Sequence, residues 1–272
     1  MRILKTLAIV AIVLGLMSGA ALAQEKKITM TGSTTVLPIA QKAAENYMKM
    51  HSDVNISVSG TGSGDGVKAI IDGTADIGNS SRDMKDKEKK LAESKGVAPV
   101  RHTVALDCIV PVVHPSNPVS ALTTAQMKDI YAGKVKNWNE VGGEDKPIAV
   151  ISRDSSSGTF EVWNEKVLEG EKVRPDAQLQ ASNGAVAQAV AGNKFAIGYV
   201  GIGYLNPSLK ALTVNGVEAS AQTAKDESYP VARALYMFTA GEPTGEVKSF
   251  LDFVKSPEGQ KVAEEEGFVS AY

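Results

Sequence analysis

Three short stretches of the chain combine glycine with hydroxyl side chains where a β-type run gives way to a helical pattern. Thr31-Gly32-Ser33-Thr34-Thr35-Val36 follows KITM and precedes a helix pattern with Pro38 in its first turn. Ser59-Gly60-Thr61-Gly62-Ser63-Gly64-Asp65-Gly66 lies between NISVSG and VKAIIDG. Arg153-Asp154-Ser155-Ser156-Ser157-Gly158-Thr159 follows PIAVIS and opens a helix pattern carrying Phe160 and Trp163. A helix N-terminus offers unpaired backbone N–H groups, and glycine lets an anion approach them closely. Each such terminus favours an anion by about 0.3–1 kcal/mol, or about 2 kcal/mol when partly buried. A hydroxyl residue on a glycine turn is also an ordinary helix start. Three in one chain, one of them opened by Arg153, point to a site for a small tetrahedral oxyanion. A fourth segment, Gly78-Asn79-Ser80-Ser81-Arg82-Asp83, closes the ADIG run. Its Arg82 either enters the same cleft or pairs at the surface with Asp83 or Asp86.

Other chemistries fit less well. A dinucleotide fingerprint over the second stretch would need glycine where Asp65 stands, and no Gly-x4-Gly-Lys-Ser/Thr stretch exists. Neither Ser63 nor Ser157 sits in a Gly-x-Ser-x-Gly elbow. His51, His102 and His114 are far apart and lack metal-ligand spacing, so no metal, cofactor or catalytic base is indicated. The chain offers binding groups but no visible agent of a reaction.

The elements that must position these groups alternate between strand and helix, which predicts an α/β fold. Strand candidates are KITM, NISVSG, ADIGNS, TVALDCIVPVV, PIAVIS, FAIGYVG, ALTVNG and VARALYMFT. Thr123 to Gln126 form a capping box ahead of Met127, Ile130 and Tyr131, with Gly133 as the stop. The last helix is expected to start at Ser256-Pro257 and end at Gly267. VKAIIDGTADIG (67–78) and VAQAVAGNKFAIG (186–198) share a helix, a polar turn and a strand ending Ile-Gly. The match suggests two similarly wound halves, although any two α/β units resemble each other to this extent.

Arg2 and Lys5, the apolar run Leu7 to Met17 and Ala21-Leu22-Ala23 have the layout of a cleavable signal peptide over 1–23. Its apolar core is shorter than the roughly 20 residues of a spanning helix. A soluble, exported mature chain starting at Gln24 is therefore expected. With 272 residues and a net charge of −2, the protein suits two small domains and lacks the basic excess of a nucleic-acid surface. Its single cysteine, Cys108, excludes an intramolecular disulfide and sits in an apolar run as a small hydrophobe.

GSTTVLPIA, GTGSGDGVKAIIDGTADIGNSSR, ALDCIVPVVHPSNPV, LTTAQMKDIYAGKVKNWNEVGG, RDSSSGTFEVW and YPVARALYMFT occur in this order. Together they resemble the periplasmic phosphate-binding proteins of bacterial ABC transporters. The resemblance implies a two-lobed type II periplasmic binding protein fold with the anion held between the lobes. The crossings would fall near 107–111 and 229–233, giving lobe one as 24–107 plus 232–272 and lobe two as 108–231. It implies phosphate ligands at Ser33, Thr34, Thr35, Ser63, Arg153, Ser157, Gly158 and Thr159, to which Ser81 and Arg82 of the fourth segment are added as candidates. It also implies a periplasmic monomer that partners membrane permease subunits, binds no nucleic acid and needs no cofactor. Better-known members carry an aspartate at the position of Ser81, where the resemblance implies that it accepts a hydrogen bond from protonated phosphate. Here Asp65 or Asp154 is the expected substitute. The alternatives are a receptor for sulfate, arsenate or phosphite, an exported serine hydrolase or phosphatase, and a surface protein that kept the lobes without transport.

Overall fold

The computed structural model describes residues 26–272, so the expected signal segment and Gln24 lie outside the described residues. In chain order its elements begin β1 (Lys26–Gly32), α1 (Leu37–Met50), β2 (Val54–Gly60), α2 (Ser63–Asp72), β3 (Ile77–Ser80) and α3 (Asp86–Ser94). There follow β4 (Val100–Val113), β5 (Ala121–Leu122), α4 (Thr124–Ala132), β6 (Ala149–Arg153), α5 (Gly158–Lys166), β7 (Gln178–Gln180) and α6 (Asn183–Ala191). The chain continues with β8 (Ala196–Gly201), β9 (Lys210–Ala211), β10 (Thr213–Val214) and α7 (Ala221–Lys225). It ends with β11 (Ala232–Thr239), α8 (Gly245–Lys255) and α9 (Pro257–Glu265).

The main sheet has the strand order β2-β1-β3-β11-β4-β8-β6-β7. The run β1-α1-β2-α2-β3 is repeated by β6-α5-β7-α6-β8, and each half places its middle strand at the edge of a parallel trio. The two Ile-Gly strands occupy equivalent places. Gly78 lets α2 settle on β3, where an added Cβ would lie 2.5 Å from the Gly66 carbonyl oxygen. Gly198 does the same for α6 on β8, where a Cβ would meet methyl groups of Val186 and Val190 at 2.7 and 2.8 Å. The likeness of the two segments therefore reflects one packing solution used in both halves.

Strand β4 joins the halves. From Val100 to Cys108 it pairs antiparallel with β11, and from Ile109 to Val113 it pairs with β8. The second crossing runs alongside, where the Ile109 N–H donates to the Val231 carbonyl at 3.0 Å. Separate apolar cores form on either side. One contains Ile28, Ile39, Tyr47, Val104, Leu235 and Phe250. The other contains Cys108, Val112, Tyr131, Trp163, Val200 and Val231, and Val269 from the chain's end also packs into it. Cys108 is a buried free thiol whose pKa burial pushes up to about 12. Trp163 stacks on Tyr199 with ring centroids 4.4 Å apart, inside the second core.

The helix starts follow the expected chemistry. Thr123 accepts the Gln126 N–H, and the Gln126 side chain returns the contact to the Thr123 N–H. Ser256 accepts from the Gly259 N–H ahead of α9, and Pro38 lies in the first turn of α1. The expected strand ALTVNG is instead broken into β9 and β10, which pair with different partners.

Gly78→Ala presses a methyl group into backbone and is expected to cost about 1–3 kcal/mol. Gly198→Ala meets only side-chain methyls and is expected to cost less. Urea denaturation of both variants checks the order.

Candidate functional site

The three hydroxyl-rich junctions lie at the C-terminal ends of parallel strands, where α/β sheets commonly hold ligands. The first turns from β1 into α1. Ser33 Oγ accepts the N–H groups of Thr35 and Val36 at 3.1 and 3.3 Å, so this hydroxyl shapes the turn. Gly32 has φ 133°, and a Cβ there would lie 2.1 Å from the Asn79 carbonyl oxygen. The third junction turns from β6 into α5, and Ser157 Oγ accepts the Phe160 N–H at 3.1 Å as its cap.

The lobes meet at these junctions. The Gly64 N–H at the start of α2 donates to the Ser156 carbonyl at 3.0 Å, and Ser156 Oγ lies 3.2 Å from the Thr61 carbonyl oxygen. Thr35 Oγ1 and Thr159 Oγ1 are 2.9 Å apart. A Cβ on Gly158 would lie 2.3 Å from Ser63 Oγ and 2.8 Å from Ser81 Oγ. Ser63 Oγ in turn accepts the Ser81 N–H at 3.0 Å. The N-termini of α1, α2 and α5 thus converge with Ser63, Ser81 and Thr159, all buried. The geometry is that of a closed cleft.

Arg153 supplies the charge. It is 2% exposed, and its Nε and Nη2 donate to the Gln180 and Ala181 carbonyls at 2.9 and 3.0 Å. Its Nη1 has no hydrogen-bond partner among the described residues. The Asp154 carboxylate stands 4.0 Å from Nη2. Burial lowers the guanidinium's pKa, with Asp154 opposing the shift. A buried cation with an open N–H edge is costly until an anion fills it.

Arg82 is placed differently. Its two terminal nitrogens meet the Glu88 carboxylate at 2.8 and 2.7 Å, and its Nε meets Glu161 of the other lobe. Lys85 reaches the same Glu161 at 2.8 Å. Burial acts to raise the Glu88 pKa, but the bonds from Arg82 and the Lys85 N–H hold it below the usual carboxylate range. Arg82 therefore spends its charge joining Glu88 to Glu161. It pairs with neither the Asp83 nor the Asp86 side chain, and its only contact with Asp83 is to the carbonyl at 2.8 Å. This clamp borders a crevice of about 660 Å³ that Lys166, Arg233 and Tyr236 also line.

The expected substitute carboxylates do not touch the junction hydroxyls at the convergence point. Asp154 accepts from the N–H and hydroxyl of Ser156 at 2.8 and 2.6 Å, within its own turn. Asp65 stands largely exposed on α2, and partial desolvation followed by the charge of Asp154 raises its pKa.

Four buried residues absent from the sequence expectation complete the cleft. Asn183, at the start of α6, donates through Nδ2 to Thr34 Oγ1 and Thr35 Oγ1 at 3.1 and 3.0 Å. Asp107 on β4 and Arg233 on β11 form an ion pair at 2.7 Å between the crossings. Asn79 is fully buried, with both carboxamide atoms unpartnered among the described residues. Ser182-Asn183-Gly184 is a fourth junction of the same kind, with Ser182 accepting the Ala185 N–H at 3.1 Å. That pattern is present in the sequence, as is a lone acid in the apolar run LDCIVPVV, which needs a cationic partner when buried.

Gly158→Ala adds its methyl group only where the lobes meet. The ligand-free melting temperature is expected to stay within a few degrees, while anion affinity falls at least about tenfold through the clash. Calorimetric titration beside thermal melts checks both.

Residues 18–258 match the PBP superfamily domain. The phosphate-binding protein PstS of Bacillus subtilis (strain 168) is 33% identical over 244 residues, covering 89% of this chain and 80% of that protein. PstS of Pseudomonas aeruginosa is 32% identical over 265 residues, covering 89% and 82%. A structure from Clostridium perfringens, described as a phosphate ABC transporter substrate-binding protein with bound phosphate, aligns with a TM-score of 0.85. It is 36% identical and covers 91% of this chain and 100% of its own. An ABC-type phosphate transport receptor from Vibrio cholerae aligns with a TM-score of 0.73 and 31% identity, covering 89% and 99%. The shared two-lobed α/β architecture and the extent of these matches place the chain in the PBP superfamily, in the family of the PstS phosphate-binding proteins.

Proposed function

We propose that this protein is the substrate-binding component of a phosphate ABC transporter, which captures inorganic phosphate by lobe closure and presents it to membrane permease subunits. The observation that carries this reading is the open Nη1 edge of buried Arg153, at the turn that leads from β6 into α5, together with the converging helix N-termini and hydroxyls. Those groups stabilise a desolvated tetrahedral oxyanion through charge-assisted hydrogen bonds and backbone N–H groups. Opposing lobes surround the ligand in a way that one helix end cannot. The role is binding without a covalent step. In keeping with that role, His51 stacks on Tyr47, His102 meets Thr239 and His114 meets Ser116, all away from the junction serines.

The ligand set of this proposal is Thr34, Ser63, Ser81, Arg153, Gly158 and Thr159, with Thr35 joining Thr159 to Asn183, Ser33 and Ser157 holding the turns and Arg82 clamping the lobes. The division into 24–107 plus 232–272 and 108–231 is supported by the two cores and by the change of partner along β4. Export to the periplasm rests on the signal-like residues 1–23. The protein is taken to be a monomer, as its family resemblance implies.

Calorimetric titration of ligand-stripped protein with phosphate, sulfate and arsenate tests the reading. Tight one-to-one phosphate binding with weaker sulfate binding is expected. Arg153→Met is expected to cost about 2–5 kcal/mol of phosphate affinity. Equal sulfate affinity would indicate a broader oxyanion receptor. Absence of binding, or an unaltered Arg153→Met variant, would overturn the proposal.

A further inference from the structure

Arg233 and Asn183 surround the threonine hydroxyls in a way that determines where the hydroxyl protons point. A threonine hydroxyl accepts at most two hydrogen bonds and donates one, whereas guanidinium and amide N–H groups only donate. Asn183 Oδ1 accepts the Gly201 N–H at 3.1 Å, which fixes the orientation of its carboxamide. Its Nδ2 therefore donates one hydrogen to Thr34 Oγ1 and the other to Thr35 Oγ1. Thr34 Oγ1 also faces the Asn183 backbone N–H at 3.4 Å.

Arg233 is anchored by Asp107 Oδ2, which lies 2.8 Å from Nε and 2.7 Å from Nη2. The remaining Nη2 hydrogen is shared between Thr35 Oγ1 at 3.2 Å and Thr159 Oγ1 at 3.1 Å. Thr35 thus accepts from Asn183 and from Arg233, and it has no lone pair left for Thr159. Across the 2.9 Å contact between the two hydroxyls, Thr35 must be the donor. Thr159 then accepts from Thr35 and Arg233, so its own proton points away from both. Thr34 is likewise filled by Asn183. No hydrogen bond among the described residues takes the protons of Thr34 or Thr159.

We propose that Arg233 is a specificity-determining residue, because with Asn183 it turns the hydroxyls of Thr34 and Thr159 into obligate donors that favour unprotonated ligand oxygens. The proposal rests on the cleft being the phosphate site. Phosphate dianion offers three unprotonated oxygens and the monoanion two, so the dianion binds more tightly. The ionisable groups facing Arg233 are Asp107 and Cys108 on β4, Tyr199 on β8 and Arg153 on β6, and Arg82, Lys85, Glu161 and Lys166 line the crevice on its other side. The Cys108 thiol is pushed up to about 12 by burial, well above the range in which phosphate loses its second proton.

The test is phosphate titration of wild type and Arg233→Lys at pH values below and above the second ionisation of phosphate. Lysine keeps a cation for Asp107 but lacks the planar fork that reaches both hydroxyls. Wild type is expected to bind more tightly at the higher pH. Arg233→Lys is expected to lose about tenfold in affinity there and to lose most of the pH preference. Wild-type affinity in the variant, or an equal loss at both pH values, overturns the proposal, since equal loss marks a purely structural role. Failure of wild type to bind phosphate at either pH instead counts against the receptor reading. Thermal melts of both proteins verify that Arg233→Lys is folded.

Discussion

A guanidinium taken out of water without a carboxylate in contact is the constraint around which this protein is organised. Isolated buried charges cost several kcal/mol even after relaxation. Arg153 meets part of that cost through two backbone carbonyls at the end of β7, and its third nitrogen is left open. The other buried cations of the cleft are already matched. Arg82 lies between Glu88 and Glu161, and Arg233 lies on Asp107. Arg153 therefore keeps an open N–H edge with its nearest carboxylate, Asp154, 4.0 Å away, and an anion from solution is its natural counterpart. The same arrangement couples binding to shape, because groups on both lobes surround that position only when the cleft is shut.

The fold supplies this geometry by repetition. Two βαβαβ units with the same strand order point their strand ends toward each other, and β4 with the neighbouring crossing carries the connection. Glycines sit where backbones or hydroxyls come within a methyl group's reach: Gly78 and Gly198 under their helices, and Gly158 against Ser63 and Ser81. Two sets of interlobe contacts then differ in kind. The Glu161 clamp uses charges near the rim, whereas the Asp107–Arg233 pair is buried between the crossings and reaches hydroxyls of both lobes.

Much of this was legible in the sequence because it is local. Ser/Thr-Gly turns before helix patterns, the Thr123 capping box and the paired Ile-Gly segments each depend on a few neighbouring residues. Asn183 escaped notice because β7 is only three residues long and polar, so its junction lacked a visible strand. Arg233 and Asp107 were recognisable singly as charges in apolar runs, but their union depends on strands far apart in the chain. Arg82 illustrates the reverse case. Its neighbours suggested a ligand or a local ion pair, while the fold brought Glu161 from the opposite lobe.

A crystal structure of the protein with bound phosphate tests the central claim most directly. The account predicts phosphate between the starts of α1, α2 and α5, with an oxygen in hydrogen-bond contact with Arg153 Nη1. Phosphate held instead in the crevice beside Lys166 and Tyr236, with Arg153 Nη1 uncontacted, would contradict it.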